Sequence, residues 1–132
     1  NDIQRYAYKW KGFRINRAES LNEAIDEIHA RVVEIVNILK QSNKKIILQT
    51  HFRVNPDMKD AHSKALNEGL DALNLRLLTS YGSDNSDVSL AYLTPDFPAP
   101  LYLDLVHLNP FGYQLHSFFI CFSILLHFLF NF

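Results

Sequence analysis

The sequence predicts an α/β fold, in which helices alternate with strands that pair in parallel. One observation is a helical pattern over residues 20–40, where apolar residues recur at three- and four-residue steps. Another is that two short, nearly continuous apolar runs, 45–50 and 88–93, each follow a helical pattern. Such runs are typical of strands buried on both faces of a parallel sheet, and a helix between them implies a right-handed crossover.

The first helix is predicted to begin at the capping box Ser20-Leu21-Asn22-Glu23, in which serine and glutamate side chains satisfy backbone donors. It ends near Lys40, which suits the helix dipole, because Gln41-Ser42-Asn43 interrupts the pattern. One apolar stripe is expected to face the core: Leu21, Ala24, Ile25, Ile28, Val32, Ile35, Val36 and Leu39.

The second helix is predicted to begin at Asn55-Pro56, with asparagine as the N-cap and proline in the first helical position. It extends to about Leu78, and its buried stripe is Leu66, Leu70, Leu73 and Leu77. A polar loop over 81–87 leads to the second strand. The proline-rich connector 94–100, which follows that strand, is predicted not to be helical.

Composition limits the classes of function. The 132 residues suit one domain or part of one. The net charge is −1 and the 13 basic residues are scattered, which argues against binding nucleic acid. The single cysteine, Cys121, excludes an internal disulfide and a cysteine-based zinc site, and the spacing of His51 and His62 fits no metal-ligand pattern. None of these features assigns a compartment.

The C-terminal residues 117–132 differ in composition from residues 1–116, and we treat the two parts separately. The segment is uncharged and apolar on all sides, whereas a helix that covers a sheet is expected to be amphipathic. It is short for a bilayer span, which needs about 20 apolar residues. A buried helix, a membrane contact made by residues 118–130 and an unnatural chain end are the alternatives.

The candidate catalytic residues lie in the segment 104–113, Asp-Leu-Val-His-Leu-Asn-Pro-Phe-Gly-Tyr, in which Pro-Phe-Gly is a turn signal. On a loop after a strand, Asp104 can fix the tautomer of His107 and stabilise the imidazolium that forms when His107 takes a proton. The alternative is that Asp104 caps a short turn and that His107 is a surface residue. Asp96, just past the second strand, is the second candidate for the acid.

Three further residues are candidates for a substrate cleft. His51 and Arg53 follow the first strand, at the edge where open α/β sheets place their ligands, although an ordinary loop histidine is the commoner outcome. Trp10 is the residue of the aromatic N-terminal segment that we assign to substrate contact. Aromatic residues there can equally cover the edge of the core.

The segment D-L-V-H-L-N-P-F-G-Y resembles the last sequence block of the SGNH, or GDSL-type, hydrolases, in which an Asp-x-x-His supplies acid and base. The chain also opens with Asn1-Asp2, which is similar to the end of that family's Gly-x-Asn-Asp block. The resemblance covers residues 1–116. It implies a flavodoxin-like three-layer α/β/α sandwich, of which this chain holds a C-terminal part with two parallel strands.

The resemblance also implies ester hydrolysis through an acyl-enzyme, with no metal or organic cofactor. Asp104 would orient His107, and Asn1 would donate its side-chain amide to the oxyanion. The family's serine lies in a Gly-Asp-Ser block that precedes the Asn-Asp block. This sequence departs from the pattern, because it contains no such block and Gly82-Ser83-Asp84 has the letters in another order. We therefore expect the nucleophile to lie outside this chain and the chain alone to be inactive.

The implied substrate is a small-molecule, carbohydrate or lipid ester whose acyl and alcohol groups the sequence does not specify. A function of another class is also open: a non-catalytic α/β module that binds a partner through an exposed sheet edge or attaches to a membrane through the apolar C-terminus.

Overall fold

The computed structural model describes residues 21–82, 87–91 and 96–130. Within them, helices and strands alternate, as the sequence predicts for an α/β chain. In order, the elements are α1 (Leu21–Lys40), β1 (Ile46–Gln49), α2 (Ala61–Tyr81), β2 (Val88–Ala91), a 3₁₀ turn (Ala99–Leu101) and α3 (Pro110–Phe130).

The two strands form a parallel pair, and α2 makes the connection between them. Ile46 lies opposite Val88 and Gln49 opposite Ala91. The amide of Thr50, just past β1, also donates to the carbonyl of Ala91 at 3.2 Å. Both strands therefore end at the same edge of the sheet, and we call this the C-terminal edge.

Burial of β1 differs from the prediction of a strand covered on both faces. Ile46 is buried and Leu48 packs against the core below α1 and α2, but Ile47 on the opposite face is 42% exposed. The reason is that α3, which covers that face, contacts β2 more than β1. The near-continuous apolar run correctly predicted the strand but not the coverage of its second face.

Helix α1 matches its predicted range, although Ser20 of the capping box lies outside the described residues. Ala24, Ile25 and Val36 are buried, so part of the predicted apolar stripe faces the core. The prediction was wrong for Ile35 and Leu39 near the end of the helix, which are 55% and 45% exposed. The helix ends as predicted, because Asn43 adopts a left-handed φ of 53° that does not continue it.

Helix α2 begins later than predicted. Asn55 forms a turn instead of a helix cap: its Oδ1 accepts from the amide of Asp57 and its carbonyl accepts from the amide of Met58. The actual cap is Asp60, whose carboxylate accepts from the amides of His62 and Ser63. The predicted stripe is correct, since Leu66, Leu73 and Leu77 are buried and Leu70 packs against them.

Within the part of the chain that the structure describes, the buried apolar residues form three clusters. The first, at the C-terminal edge, is Ile25, Val54, Leu66 and Leu73. The second, between α1, α2 and the sheet, is Val36, Ile46, Leu77, Tyr81 and Val88. The third, beneath the start of α3, is Phe97, Leu101, Tyr102 and Leu108. The first and third clusters support the segment that carries the candidate site.

Helix α3 begins at Pro110, so Pro-Phe-Gly forms a first helical turn, and the boundary drawn at residue 117 lies inside one helix. Asn109 precedes the helix, and its Oδ1 accepts from the amide of Gly112 at 2.9 Å, as an N-cap does. Many apolar residues of α3 are exposed. Within the described residues, no helix combines the length and the hydrophobicity needed to cross a bilayer.

Candidate functional site

The loop between the 3₁₀ turn and α3, residues 102–109, places Asp104 beside His107, and we call it the acid–base loop. Nδ1 of His107 lies 2.8 Å from Oδ2 of Asp104 and 3.0 Å from Oδ1. The contact expected between the acid and the base is therefore present. With its Nδ1–H donated to the carboxylate, the imidazole keeps a lone pair on Nε2, which is what a general base requires.

The Asp-x-x-His spacing produces this geometry locally. Oδ1 of Asp104 accepts from the backbone amides of Val106 at 2.9 Å and His107 at 2.8 Å, which closes an Asx-type turn. A backbone hydrogen bond across the turn also stabilises it, because the amide of Leu103 donates to the carbonyl of His107 at 2.7 Å. The carboxylate of Asp104 therefore fixes the backbone of the turn and also contacts the His107 ring.

These hydrogen bonds control the charge of the acid. Donation from the amide of His107, then from the amide of Val106 and the His107 ring, lowers the pKa of Asp104 to about 2. Asp104 is therefore a carboxylate at neutral pH and can stabilise an imidazolium. The side chain of His107 is 62% exposed, so a reacting group can reach it.

The loop is attached to the C-terminal edge of the sheet. The amide of Asn55 donates to the carbonyl of Leu105 at 2.9 Å, and the hydroxyl of Tyr102 donates to the carbonyl of Arg53. Burial raises the pKa of Tyr102 to about 12, so its hydroxyl keeps the proton it donates. Since residues 53–55 follow β1, the pair lies where open α/β sheets place ligands.

Arg53 connects two more segments at this edge. Its Nε and Nη2 donate to the two oxygens of Asp71 on α2, at 3.0 and 2.7 Å. Its Nη1 donates to Asp96, beyond β2, at 3.3 Å. Hydrogen bonding to Asp71 raises the pKa of Arg53 further above its usual value. Asp96, the second candidate for the acid, is therefore a partner of Arg53.

Arg53 also lines an open cleft of about 450 Å³ at this edge. The described residues that line it are Arg53, Val54, Pro56, Met58, Lys59, Lys64, Asn67, Glu68, Asp71 and Asp96. His51 is not among these residues; its backbone is held by the side chain of Asn74, which accepts from its amide and donates to its carbonyl. Trp10 and Asn1, the other candidates, lie outside the described residues.

A further histidine at the same edge, besides His107 and His51, was not predicted. Nε2 of His116, on α3, lies 2.6 Å from Nε2 of Gln49, the last residue of β1, and the ring meets Phe52 and Phe97 edge-on. Burial lowers the pKa of His116, which favours the neutral ring that accepts from the amide. In the sequence, the only indication of this contact was Gln49, a polar residue at the end of an otherwise apolar strand.

A serine–histidine contact also occurs elsewhere. Nε2 of His29 on α1 lies 2.9 Å from Oγ of Ser80 on α2. Ser80 is near the end of α2 that leads into β2, so this contact lies at the edge opposite Asp104 and His107. It therefore does not supply the candidate site with a nucleophile.

Among the described residues, no group of three or more His, Cys, Asp or Glu side chains is arranged to hold a metal ion. Comparison of the chain with protein-family models, curated proteins and solved structures found no match. Function is therefore inferred from the chemistry of the site and from the resemblance in its sequence.

Proposed function

We propose that Asp104 and His107 are the acid and the general base of an SGNH-type esterase that hydrolyses an ester through an acyl-enzyme. The observation that supports the proposal is the 2.8 Å contact between the two side chains, on a loop attached to the C-terminal edge of a parallel sheet. The proposal includes the three-layer α/β/α sandwich of that family, to which the described helices and parallel strands would belong.

In the proposed reaction, Nε2 of His107 takes the proton of a serine hydroxyl as the serine oxygen attacks the ester carbonyl. The imidazolium then gives that proton to the departing alcohol, and the same steps with water release the acid. Asp104 stays ionised throughout, because its pKa of about 2 lies far below neutral pH. Asn1 is assigned the oxyanion contact on the strength of the Asn-Asp resemblance.

The proposal assigns the nucleophile to a Gly-Asp-Ser block encoded before Asn1, in the order of the family's blocks. The sequence of 132 residues contains no such block. Removing one member of a serine triad leaves a residual acceleration of about 10³–10⁴ over water, which depends on an intact oxyanion hole. The 132-residue chain is therefore expected to turn over esters weakly or not at all.

The test compares the 132-residue chain with a protein extended upstream of Asn1. The extended protein should hydrolyse an activated short-chain ester and react with a fluorophosphonate. His107→Ala should lower its kcat by about 10⁴ or more. His29→Ala, which removes a histidine at the opposite edge, is the matched control and should leave kcat unchanged. Robust turnover and fluorophosphonate labelling of the 132-residue chain would contradict the proposal and point to an internal serine such as Ser83.

The second candidate is a non-catalytic α/β module that binds a partner or a membrane through residues 118–130. The observation in its favour is the exposed, uncharged face of α3, which includes Phe118, Phe122 and Leu125. This candidate predicts no turnover by the extended protein and a solubility that depends on detergent.

A further inference from the structure

The cleft beside the acid–base loop has a lining that selects a class of ligand. We propose that it binds a neutral polyhydroxylated ring, such as that of a sugar. We further assign this ring to the alcohol part of the ester, an assignment that rests on the proposed function.

Among the described residues of the lining, the charges balance. Arg53, Lys59 and Lys64 are cations, and Glu68, Asp71 and Asp96 are carboxylates. A cleft without net charge gives neither an anion nor a cation a long-range attraction. A neutral ligand does not depend on such an attraction for its affinity.

The guanidinium of Arg53 is already hydrogen-bonded to two carboxylates. Three of its five N–H groups donate to Asp71 and Asp96, with the shortest contact at 2.7 Å. An anionic ligand would have to displace these carboxylates to gain a bidentate contact. The side chain of Asp96 is 66% exposed, and a carboxylate has about four lone-pair sites, so Asp96 can still accept hydrogen bonds from a ligand.

Donors and an apolar surface complete the lining. Oδ1 of Asn67 accepts from the amide of Val54 at 2.9 Å, which fixes the orientation of the side chain and leaves its NH₂ group as the donor. Lys59 and Lys64 add ammonium donors, and Pro56 and Met58 add apolar surface. A hydroxyl group both donates and accepts, and a sugar ring presents hydroxyls beside C–H groups, so this mixture suits it.

The position of the cleft connects it to the proposed reaction. Val54 lines the cleft and also packs in the core cluster that contacts Leu105 and Val106. The next residue, Asn55, donates its amide to the carbonyl of Leu105. The cleft and the acid–base loop therefore share one segment at the same edge of the sheet.

The test measures binding to the full 132-residue chain by ¹H–¹⁵N NMR. The probes are methyl glycosides of glucose, galactose, mannose and xylose, and myo-inositol, each at up to about 50 mM, which reveals millimolar Kd values. Inorganic phosphate and choline are the charged comparators. At least one neutral probe should shift the side-chain amide of Asn67 and the backbone amides of Lys64 and Glu68. Its Kd should not change with added NaCl, because no net charge is neutralised.

Variants localise the binding. Asp96→Ala should weaken it about tenfold through loss of a hydrogen bond to a charged acceptor, and Glu68→Ala should weaken it independently. Glu34→Ala, on the solvent face of α1, is the matched control and should leave the Kd unchanged. The spectrum of each variant reports directly whether it is folded.

The proposal is overturned if no neutral probe shifts these amides, or if phosphate or choline does so at a lower concentration than every neutral probe. This result is separate from the esterase test, because it requires no turnover. Glycoside binding by a chain whose extended form lacks esterase activity would remove the assignment to an ester and keep the sugar site.

Discussion

At position 104, one side chain supports both the backbone and the chemistry of the loop. The carboxylate accepts from two backbone amides and contacts the His107 ring, all within three residues of sequence. The contact between the two side chains was predicted from the Asp-x-x-His spacing, whereas the amide contacts match the alternative in which Asp104 caps a short turn. The partners of Arg53 were not predictable in this way, since Asp71 and Asp96 lie 18 and 43 residues away and are brought together only by the fold. The same holds for Gln49 and His116, which are 67 residues apart.

The acid should titrate well below the usual range for aspartate. Its pKa in the folded chain is about 2 and its reference value is 3.8, so ionised Asp104 stabilises the folded loop. That contribution is complete above pH 3.8 and is lost as the pH falls towards 2. The amide resonances of Val106 and His107, followed by NMR, should stay constant through pH 3.8 and move near pH 2. Asp104→Asn should abolish the step, and a step centred near 3.8 would show that the amide contacts do not form in solution.

At the scale of elements, apolar periodicity predicted the two helices, whereas the capping residues did not predict correctly where α2 begins. The apolar stripes of α1 and α2 identified both helices, because burial of one helix face is a pattern repeated over many residues. The predicted start of α2 was wrong, because the dipeptide Asn55-Pro56 is compatible with a helix N-terminus and also with a turn. The N-cap of α2 is Asp60, whose carboxylate accepts from two backbone amides and also from the hydroxyl of Ser63 at 2.7 Å.

The junction between the acid–base loop and α3 requires glycine at position 112. A Cβ there would lie 2.5 Å from the carbonyl oxygen of Leu101 and 2.9 Å from Cβ of Leu108. Gly112→Ala should therefore cost about 1–3 kcal/mol through overpacking, partly offset by up to about 1 kcal/mol of helix propensity. Thermal unfolding should show a lower Tm. Ser117→Ala, an exposed position of the same helix, is the control, and an equal or higher Tm for Gly112→Ala would show that the helix moves away at no cost.

Over the whole molecule, apolar surface is distributed unevenly. The described sheet has two strands, and α1 and α2 cover one of its faces with a closely packed core. The other face is covered by α3, a helix without a charged residue. Phe118, Phe122, Leu125 and Leu129 recur at steps of three or four residues, so they lie on one side of α3, and all four are exposed. Contiguous apolar surface of this kind promotes association, whereas single exposed apolar residues are ordinary.

The solubility of the 132-residue chain should therefore depend on this side of α3. The double variant Phe118→Gln with Leu125→Gln should remain soluble at several-fold higher concentration than the unsubstituted chain, measured by light scattering after concentration. Its Tm should change little, because substitutions at exposed positions usually stay within about 0.5 kcal/mol each. The matched control is Leu75→Gln with Leu103→Gln, two leucines that are 64% and 74% exposed on α2 and on the acid–base loop. If both double variants raise the solubility equally, the total amount of exposed apolar surface matters and its continuity along α3 does not.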